Sequence, residues 1–244
     1  MAKENKIAIF ISTYNQGQFL LPNCLWFIAQ QTYKDFICVV GDDQSSDNTK
    51  EVVENICKQD KRFIYHLTPK KYFRNALFYN WAAKEYKTKY IITCDGDNYL
   101  YEDCVAARLE AIEIGGDVAV YSYSDVLFWD EKREKIISQY VRGRQWNLND
   151  YVYYTSFNNY IDMCDIIFDR KAYLDVGGYF ESGIGFQDYS IMIRLAMKYS
   201  NRIGCLPKIL TQYNSFTDGQ CRAVDSSEEA HKNCFSDDPK DWQL

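Results

Sequence analysis

The first half of the chain alternates short apolar runs with longer amphipathic segments. Lys6–Ile11 (KIAIFI) is a β-branched run without a helical period. It breaks at Ser12–Gly17, and Gln18–Gln30 then reads as a helix. Phe36–Val40 (FICVV) is a second buried strand that ends at Gly41. Asn48, with Glu51 three residues on, predicts a helix N-cap pair, and Val52, Val53, Ile56 and Cys57 give that helix its apolar face. Phe63–Leu67 reads as a third strand, Phe73–Tyr86 as a helix, Tyr90–Thr93 as a fourth strand, Glu102–Ile114 as a helix and Val118–Tyr123 as a fifth strand.

Strands separated by helices of this length predict an α/β fold: a mostly parallel sheet covered by helices on both faces. Ligands of such sheets bind beyond the carboxyl ends of the strands. The segments to search are therefore Ser12–Asn15, Gly41–Ser45 and Cys94–Asn98. The second half is less regular. It predicts a hairpin around Lys132–Tyr140, a strand over Ile161–Asp169, a turn at Gly177-Gly178, a loop at Gly183–Phe186, a helix over Asp188–Tyr199 and a last strand at Ile209–Tyr213. From Thr217 onward the chain is polar and acidic without periodicity, which predicts a tail.

Composition narrows the function. The 244 residues are 47% hydrophobic and 25% charged, enough for a sizeable core and too apolar for a disordered chain. No apolar run approaches the ~18 residues that span a bilayer. The polar start, MAKENK, predicts no secretory signal. A net charge of −6 offers no basic surplus for nucleic acid. The nine cysteines are an odd number without a CxxC pair, and His66 and His231 are the only histidines, so neither a disulfide framework nor a structural zinc site is expected. Cys38 and Cys94 fall in strand-like runs and are expected to pack as small apolar residues. A reducing cytoplasm is the simplest setting.

Neither GxGxxG after a strand nor GxxxxGK[ST] occurs, which argues against dinucleotide and P-loop enzymes. The strand ends carry carboxylates instead: Gly41-Asp42-Asp43-Gln44-Ser45 and Asp95-Gly96-Asp97-Asn98. Asp95 and Asp97, at i and i+2 of an extended segment, point the same way. Two hard oxygens on one side, with the remainder left to phosphate and water, suit Mg²⁺ or Mn²⁺. Gly96, lacking a Cβ, is expected to let a bulky anion approach. A lone DGD is often just an acidic turn, and Asp42-Asp43 can be an Asx turn and cap feeding Ser45–Thr49, but two acidic pairs at the ends of two strands favour function. A carboxylate at the second edge would also accept from the N3–H of uracil or the N1–H of guanine, and adenine offers no such donor.

The ordered segments ISTYN (Ile11–Asn15), QQTYKDF (Gln30–Phe36), VVGDDQSSDNT (Val39–Thr49) and CDGDN (Cys94–Asn98) resemble the family 2 inverting glycosyltransferases, nucleotide-diphospho-sugar transferases of GT-A fold. CDIIFDRKAYLDVGGYFE (Cys164–Glu181) and FQDYSIMIRLAMKY (Phe186–Tyr199) resemble that family's second half, so the likeness spans about residues 6–215. The resemblance implies nucleoside contacts from Ser12 and Tyr14, with Tyr14 beside the base. It implies a base-binding carboxylate at Asp43 with Asp42 structural, a metal ligand at Asp97, and a ribose or metal-water contact at Asp95. Asp188 matches the general base, and Asp162 matches an acceptor-side position. Tyr14 as a core residue, Asp188 as a helix cap and Asp162 as a buried structural carboxylate are the competing readings. Gln187 stands where the family often has Glu, which bears on acceptor contacts. Tyr213-Asn214-Ser215-Phe216 lacks the His of a YRxH-like stretch.

These likenesses predict a GT-A domain over residues 1–216, with a nucleotide-binding half over 1–123 and an acceptor-binding, catalytic half over 124–216, followed by the tail 217–244. The expected reaction is metal-dependent, inverting transfer of a sugar from a nucleoside diphosphate, UDP first, to an acceptor hydroxyl on a sugar, lipid-linked sugar or protein glycan. Mn²⁺ or Mg²⁺ is the expected cofactor. No nucleic acid or transmembrane segment is expected, which leaves room for a peripheral membrane contact. The aromatic stretch Trp146–Tyr160 offers faces for sugar stacking, or is partly core. The rival functions are a sugar-phosphate nucleotidyltransferase, whose Gly-rich basic loop Gln16-Gly17-Gln18 does not supply, a nucleotide-sugar-binding module without turnover, and a phosphohydrolase, whose nucleophilic Asp is missing from Ser12–Asn15.

Overall fold

A computed structural model describes residues 5–145, 161–181 and 187–216. In the first half it gives β1 (Ile7–Thr13), α1 (Leu20–Gln30), β2 (Phe36–Asp42), α2 (Thr49–Gln59), β3 (Phe63–Leu67), α3 (Asn75–Glu85), β4 (Tyr90–Asp95), β5 (Tyr99–Leu100) and α4 (Cys104–Gly115). There follow β6 (Ala119–Trp129), β7 (Ile136–Arg142), a 3₁₀ turn (Met163–Asp165), β8 (Ile166–Asp169), α5 (Arg170–Asp175), α6 (Gln187–Lys198) and β9 (Ile203–Ser215).

One sheet joins the strands in the order β3-β2-β1-β4-β8-β6-β9-β5, with β7 paired to β6. β3, β2, β1 and β4 are parallel, as expected, whereas β8 is antiparallel to both β4 and β6. Alternation along the strands makes two cores. Ala8, Phe10, Val39 and Ile91 face α3, α5 and α6. Ile7, Ile9, Ile11, Cys38, Val40 and Cys94 face α1, α2 and α4. Period-two burial on both faces explains why these strands read as continuous apolar runs. Cys38 and Cys94 are fully buried within them, and the described cysteines are free thiols. Among the described residues no helix is long and apolar enough to cross a membrane.

Three expectations need correction. Asn48 stands at the α2 N-cap but makes no side-chain cap bond. Asp47 does that work: Oδ1 accepts from Thr49 N at 3.0 Å and Oδ2 from Gly17 N at 3.0 Å, tying α2 to the loop after β1. Residues 161–169 are a strand only from Ile166. Asp162 and Asp165 cap each other's backbone and bend the first half into the 3₁₀ turn. The last strand is also longer than expected, because β9 pairs with β6 from Ala119↔Ile203 to Phe128↔Ser215. The hairpin itself is present as β6–β7. Trp146–Tyr160, the Gly183–Phe186 loop and the tail from Thr217 lie outside the described residues.

Candidate active site

Strand register sets the site's edge. Ser12 lies between Gly41 on β2 and Asp95 on β4, and Thr13 lies beside Asp42. Asp43 N donates to Thr13 O at 2.9 Å and Gly96 N to Ser12 O at 2.8 Å, so both acidic turns are fastened to the end of β1. Asp42 is buried, with Oδ1 accepting from Ser45 N and Oδ2 from the Tyr65 hydroxyl, both at 2.8 Å. That is an Asx turn.

Asp43 faces the other way. It accepts from Tyr72 N at 2.6 Å and Phe73 N at 2.9 Å, which anchors the segment leading into α3. Oδ1 also accepts from the Thr68 hydroxyl at 3.3 Å, so the lone pair left for a ligand is on Oδ2. Lys71 Nζ from this segment lies 3.4 Å from the centre of the Tyr14 ring. Tyr14 is 43% exposed, which removes the core reading. Tyr14, Asp43, Lys71 and Phe73 therefore form one wall at the β1–β2 end.

The second wall is acidic. Asp95 Oδ1 accepts from Asn75 Nδ2 at 2.9 Å and from the Tyr79 hydroxyl at 2.7 Å, both on α3. Burial raises the Asp95 pKa and these two donors oppose the rise. Asp97 is pushed up to about 7 by burial and by the charges of Asp95 and Asp162. Asp162 is likewise pushed to about 7 by burial, against the pull of Arg142 and with the repulsion of Asp188 and Asp165. Arg142 Nη2 lies 3.6 Å from Asp162 Oδ2 and 3.5 Å from Asp165 Oδ2. Asp162 therefore fills the structural reading, as a cap accepting from Cys164 N at 3.2 Å, while lying in the same acidic group.

Asp188 is the second residue of α6, inside the first turn rather than at the cap. A carboxylate is favoured there by the helix dipole. Gln187 opens the helix and its carbonyl accepts from the Ser190 hydroxyl at 3.1 Å. Arg194, one face of the helix further on, holds α6 against the glycine turn: its guanidinium donates to the carbonyls of Val176 and, at 2.7 Å, Gly178. Gly177 and Gly178 both have positive φ, and a Cβ on Gly178 would stand 2.2 Å from Asn80 Oδ1. Arg194 thus fastens the middle of α6 to the Gly177-Gly178 turn. Mutual charge effects connect Asp95, Asp97, Asp162 and Asp188 as one cluster.

Gly96 does not serve as expected. A Cβ there would meet Gln16 Oε1 at 2.5 Å and Thr13 Oγ1 at 3.0 Å, so its smallness accommodates the β1 loop rather than an anion. Sequence reasoning also missed the amides that brace the acidic wall. Asn75, following Arg74 at the start of α3, holds Asp95. Asn214, in the stretch noted only for lacking a histidine, is buried and donates from Nδ2 to Asp97 O at 2.6 Å and from its backbone N to Asn98 Oδ1 at 2.9 Å. Its own Oδ1 accepts from Trp129 Nε1 and Gln212 Nε2, both at 2.9 Å. Their signal was position alone: a helix start and a strand end on the site's edge.

Among the described residues no three His, Cys, Asp or Glu side chains converge to hold a metal by themselves. Asp97, raised by burial first and then by its acidic neighbours, is a hard oxygen donor short of positive charge. Such a donor fits a divalent ion whose other positions go to phosphate oxygens and water.

Comparison with known proteins gives this edge a family. The model of Glycosyl transferase family 2 matches residues 8–175, more than half of the chain. The chain belongs to this family. Within it, the chain is 42% identical over 62 residues to the GalNAc(5)-diNAcBac-PP-undecaprenol beta-1,3-glucosyltransferase of Campylobacter jejuni, covering 25% of this chain and 20% of that protein. It thus spans about a fifth of that relative's length. Two solved structures share the fold. S. aureus TarS 1-349 in complex with UDP-GlcNAc has a TM-score of 0.68 at 16% identity, over 90% of this chain and 61% of that one. The mannosyltransferase PcManGT from Pyrobaculum calidifontis, in complex with GDP-Man and Mn²⁺, has a TM-score of 0.66 at 15% identity, over 91% and 60%. The family 2 chain therefore has the GT-A fold expected from its sequence.

Proposed function

We propose that this family 2 chain is an inverting glycosyltransferase that moves a sugar from a nucleoside diphosphate, UDP first, to an acceptor hydroxyl in glycan or polysaccharide synthesis in the cytoplasm. The observation that carries the reading is the shared edge: an exposed Tyr14 beside a largely buried Asp43 at one end, and the Asp95–Asp97–Asp162–Asp188 cluster at the other. Tyr14 offers a face to the base and Asp43 a lone pair to an imide N–H. Ser12 and Asp95 face the ribose and its phosphates. Asp97 would hold Mn²⁺ or Mg²⁺, and the ion supplies charge that offsets the departing diphosphate.

In the transfer, the acceptor oxygen bonds to the anomeric carbon as the carbon–oxygen bond to the diphosphate breaks. The electron pair of that bond leaves on the diphosphate oxygen. Asp188 takes the acceptor's proton, with Asp162 and Gln187 on the acceptor side. One base in line with the leaving group inverts the carbon without a covalent intermediate.

Calorimetry with UDP, GDP and ADP in Mn²⁺ tests the donor half. UDP or GDP binding well above ADP supports the reading, and equal binding of all three rejects the base pocket. Release of UDP from UDP-sugars in the presence of saccharide acceptors tests turnover, and separates the enzyme from a module that only binds.

A further inference from the structure

The β6–β7 hairpin brings a cation to the site's edge. β6 runs parallel to β4, since both are antiparallel to β8, but it continues past its last β8 pairing at Tyr121 to Trp129. Its tip is firmly built. Asp130 Oδ1 accepts from Glu134 N at 2.8 Å and Lys135 N at 3.2 Å, and Asp130 O accepts from Arg133 N at 2.9 Å. Arg133 takes a left-handed backbone, with φ 59°.

Two contacts locate its guanidinium. It lies over the Phe216 ring, 4.6 Å from the centre, and Phe216 is a buried residue two positions beyond Asn214, which holds the Asp97 carbonyl. It also lines a pocket of about 360 Å³ with Asn15, Gln16, Gln18, Phe19 and Asp47, on the loops after β1 and β2. The Asp47 carboxylate in this pocket is already engaged by Gly17 N and Thr49 N. Gln16, which lines the same pocket, abuts the DGD turn: a Cβ on Gly96 would lie 2.5 Å from its Oε1. Arg133 therefore faces the β1 loop where that loop meets the DGD turn.

Charge balance gives this position a purpose. Four carboxylates share the acidic wall, and Arg142 is committed to Asp162 and Asp165. An entering diphosphate adds further negative charge, which a single divalent ion offsets in part. We propose that Arg133 is a diphosphate-binding residue of the donor site, carried by the β6–β7 hairpin and seated on Phe216, so that part of the affinity for a nucleoside diphosphate needs no metal. This rests on the donor reading above. A guanidinium suits the task because it stays charged, presents a planar fork to phosphate and gives up no proton, so the acceptor's proton still goes to Asp188.

The test is calorimetry of UDP, GDP and their nucleosides with the unmutated protein, Arg133→Gln and Arg133→Lys, each in Mn²⁺ and in EDTA. The unmutated protein should bind its preferred diphosphate more tightly than the nucleoside even in EDTA. Arg133→Gln should abolish that difference and weaken diphosphate binding in Mn²⁺ by ~10–100-fold, the range of a hydrogen bond to a charged group. Nucleoside affinity should not change, which separates a phosphate contact from a damaged fold. Arg133→Lys, which keeps the charge and loses the fork, should fall between. Equal diphosphate affinity in Arg133→Gln and the unmutated protein overturns this inference alone. An unmutated protein that binds neither UDP nor GDP in Mn²⁺ overturns the donor reading, and this inference with it.

Discussion

Asp97 and Asp188 belong to one acidic cluster, yet the proposed reaction asks different things of them. Asp97→Asn removes the charge proposed to hold the metal, so Mn²⁺-dependent UDP affinity and transfer should fall together. Asp188→Asn is nearly isosteric and remains polar in the first turn of α6, so folding and UDP–Mn²⁺ affinity should survive while transfer drops ~10²–10⁴-fold. Parallel calorimetry and turnover measurements on the two variants decide this. Normal turnover in Asp188→Asn would move the base to Asp162, and loss of nucleotide binding would move Asp188 into the metal site. Asp43 carries a second load that its sequence did not reveal. Asp43→Ala should erase the preference for UDP over ADP, and it also leaves Tyr72 N and Phe73 N without their acceptor. Thermal or urea melts should therefore register a loss of about 1 kcal/mol, the usual net worth of such hydrogen bonds where water can reach the freed donors. The placement of Asp43, Asp97 and Asp188 at strand and helix ends was legible because charged residues stand out there. Asn75, Asn214 and Arg133 were not, because their meaning lies in partners 20 to 117 residues away or on another turn.

At the scale of elements, the first half was legible because its strands are buried on both faces and each is closed by a polar break. The second half was less so because tertiary pairing sets its lengths. β9 reads as a strand only near Ile209–Tyr213, but β6 holds it extended from Ile203 onward despite Pro207 and exposed residues at its middle. The bend at Met163–Asp165 depends on mutual capping by Asp162 and Asp165, a pattern hidden within an apolar stretch. This long β9 has a consequence, since its end carries Asn214 into the DGD turn. Asn214→Ala would strip partners from Asp97 O, Trp129 Nε1 and Gln212 Nε2 while leaving the backbone bond to Asn98. The turn that carries Asp97 should loosen. The expected result is a higher KM for the donor and a steeper Mn²⁺ requirement, with nucleoside affinity unchanged. If donor KM and the Mn²⁺ midpoint both stay at their unmutated values, the Asn214 clasp plays no part in placing Asp97.

Across the whole molecule, the fold gathers carboxylates from β4, the 3₁₀ turn and α6 on one edge, and this gathering couples stability to pH. Asp97 and Asp162 are each pushed to about 7, burial being the largest cause. An unfolded Asp titrates near ~3.9, so between that value and about 7 the folded chain keeps protons that the unfolded chain has lost. Stability from these two groups is therefore complete below about pH 4 and is lost as pH rises through 7. His66, whose pKa burial lowers, acts in the opposite direction over part of the same window. The informative quantity is accordingly a difference between variants. From pH 5.5 to 8, without metal, the Tm of the unmutated protein should decline relative to that of Asp97→Asn or Asp162→Asn, in which one of the two titrations is absent. Mn²⁺ competes with protons for Asp97, so its stabilising effect on the unmutated protein should grow over the same range and vanish in Asp97→Asn. A Tm difference that stays flat with pH would mean that these carboxylates are already ionised in the folded chain. The acidic edge would then be balanced by cations of the protein itself, and the case for metal at Asp97 would lose its electrostatic ground.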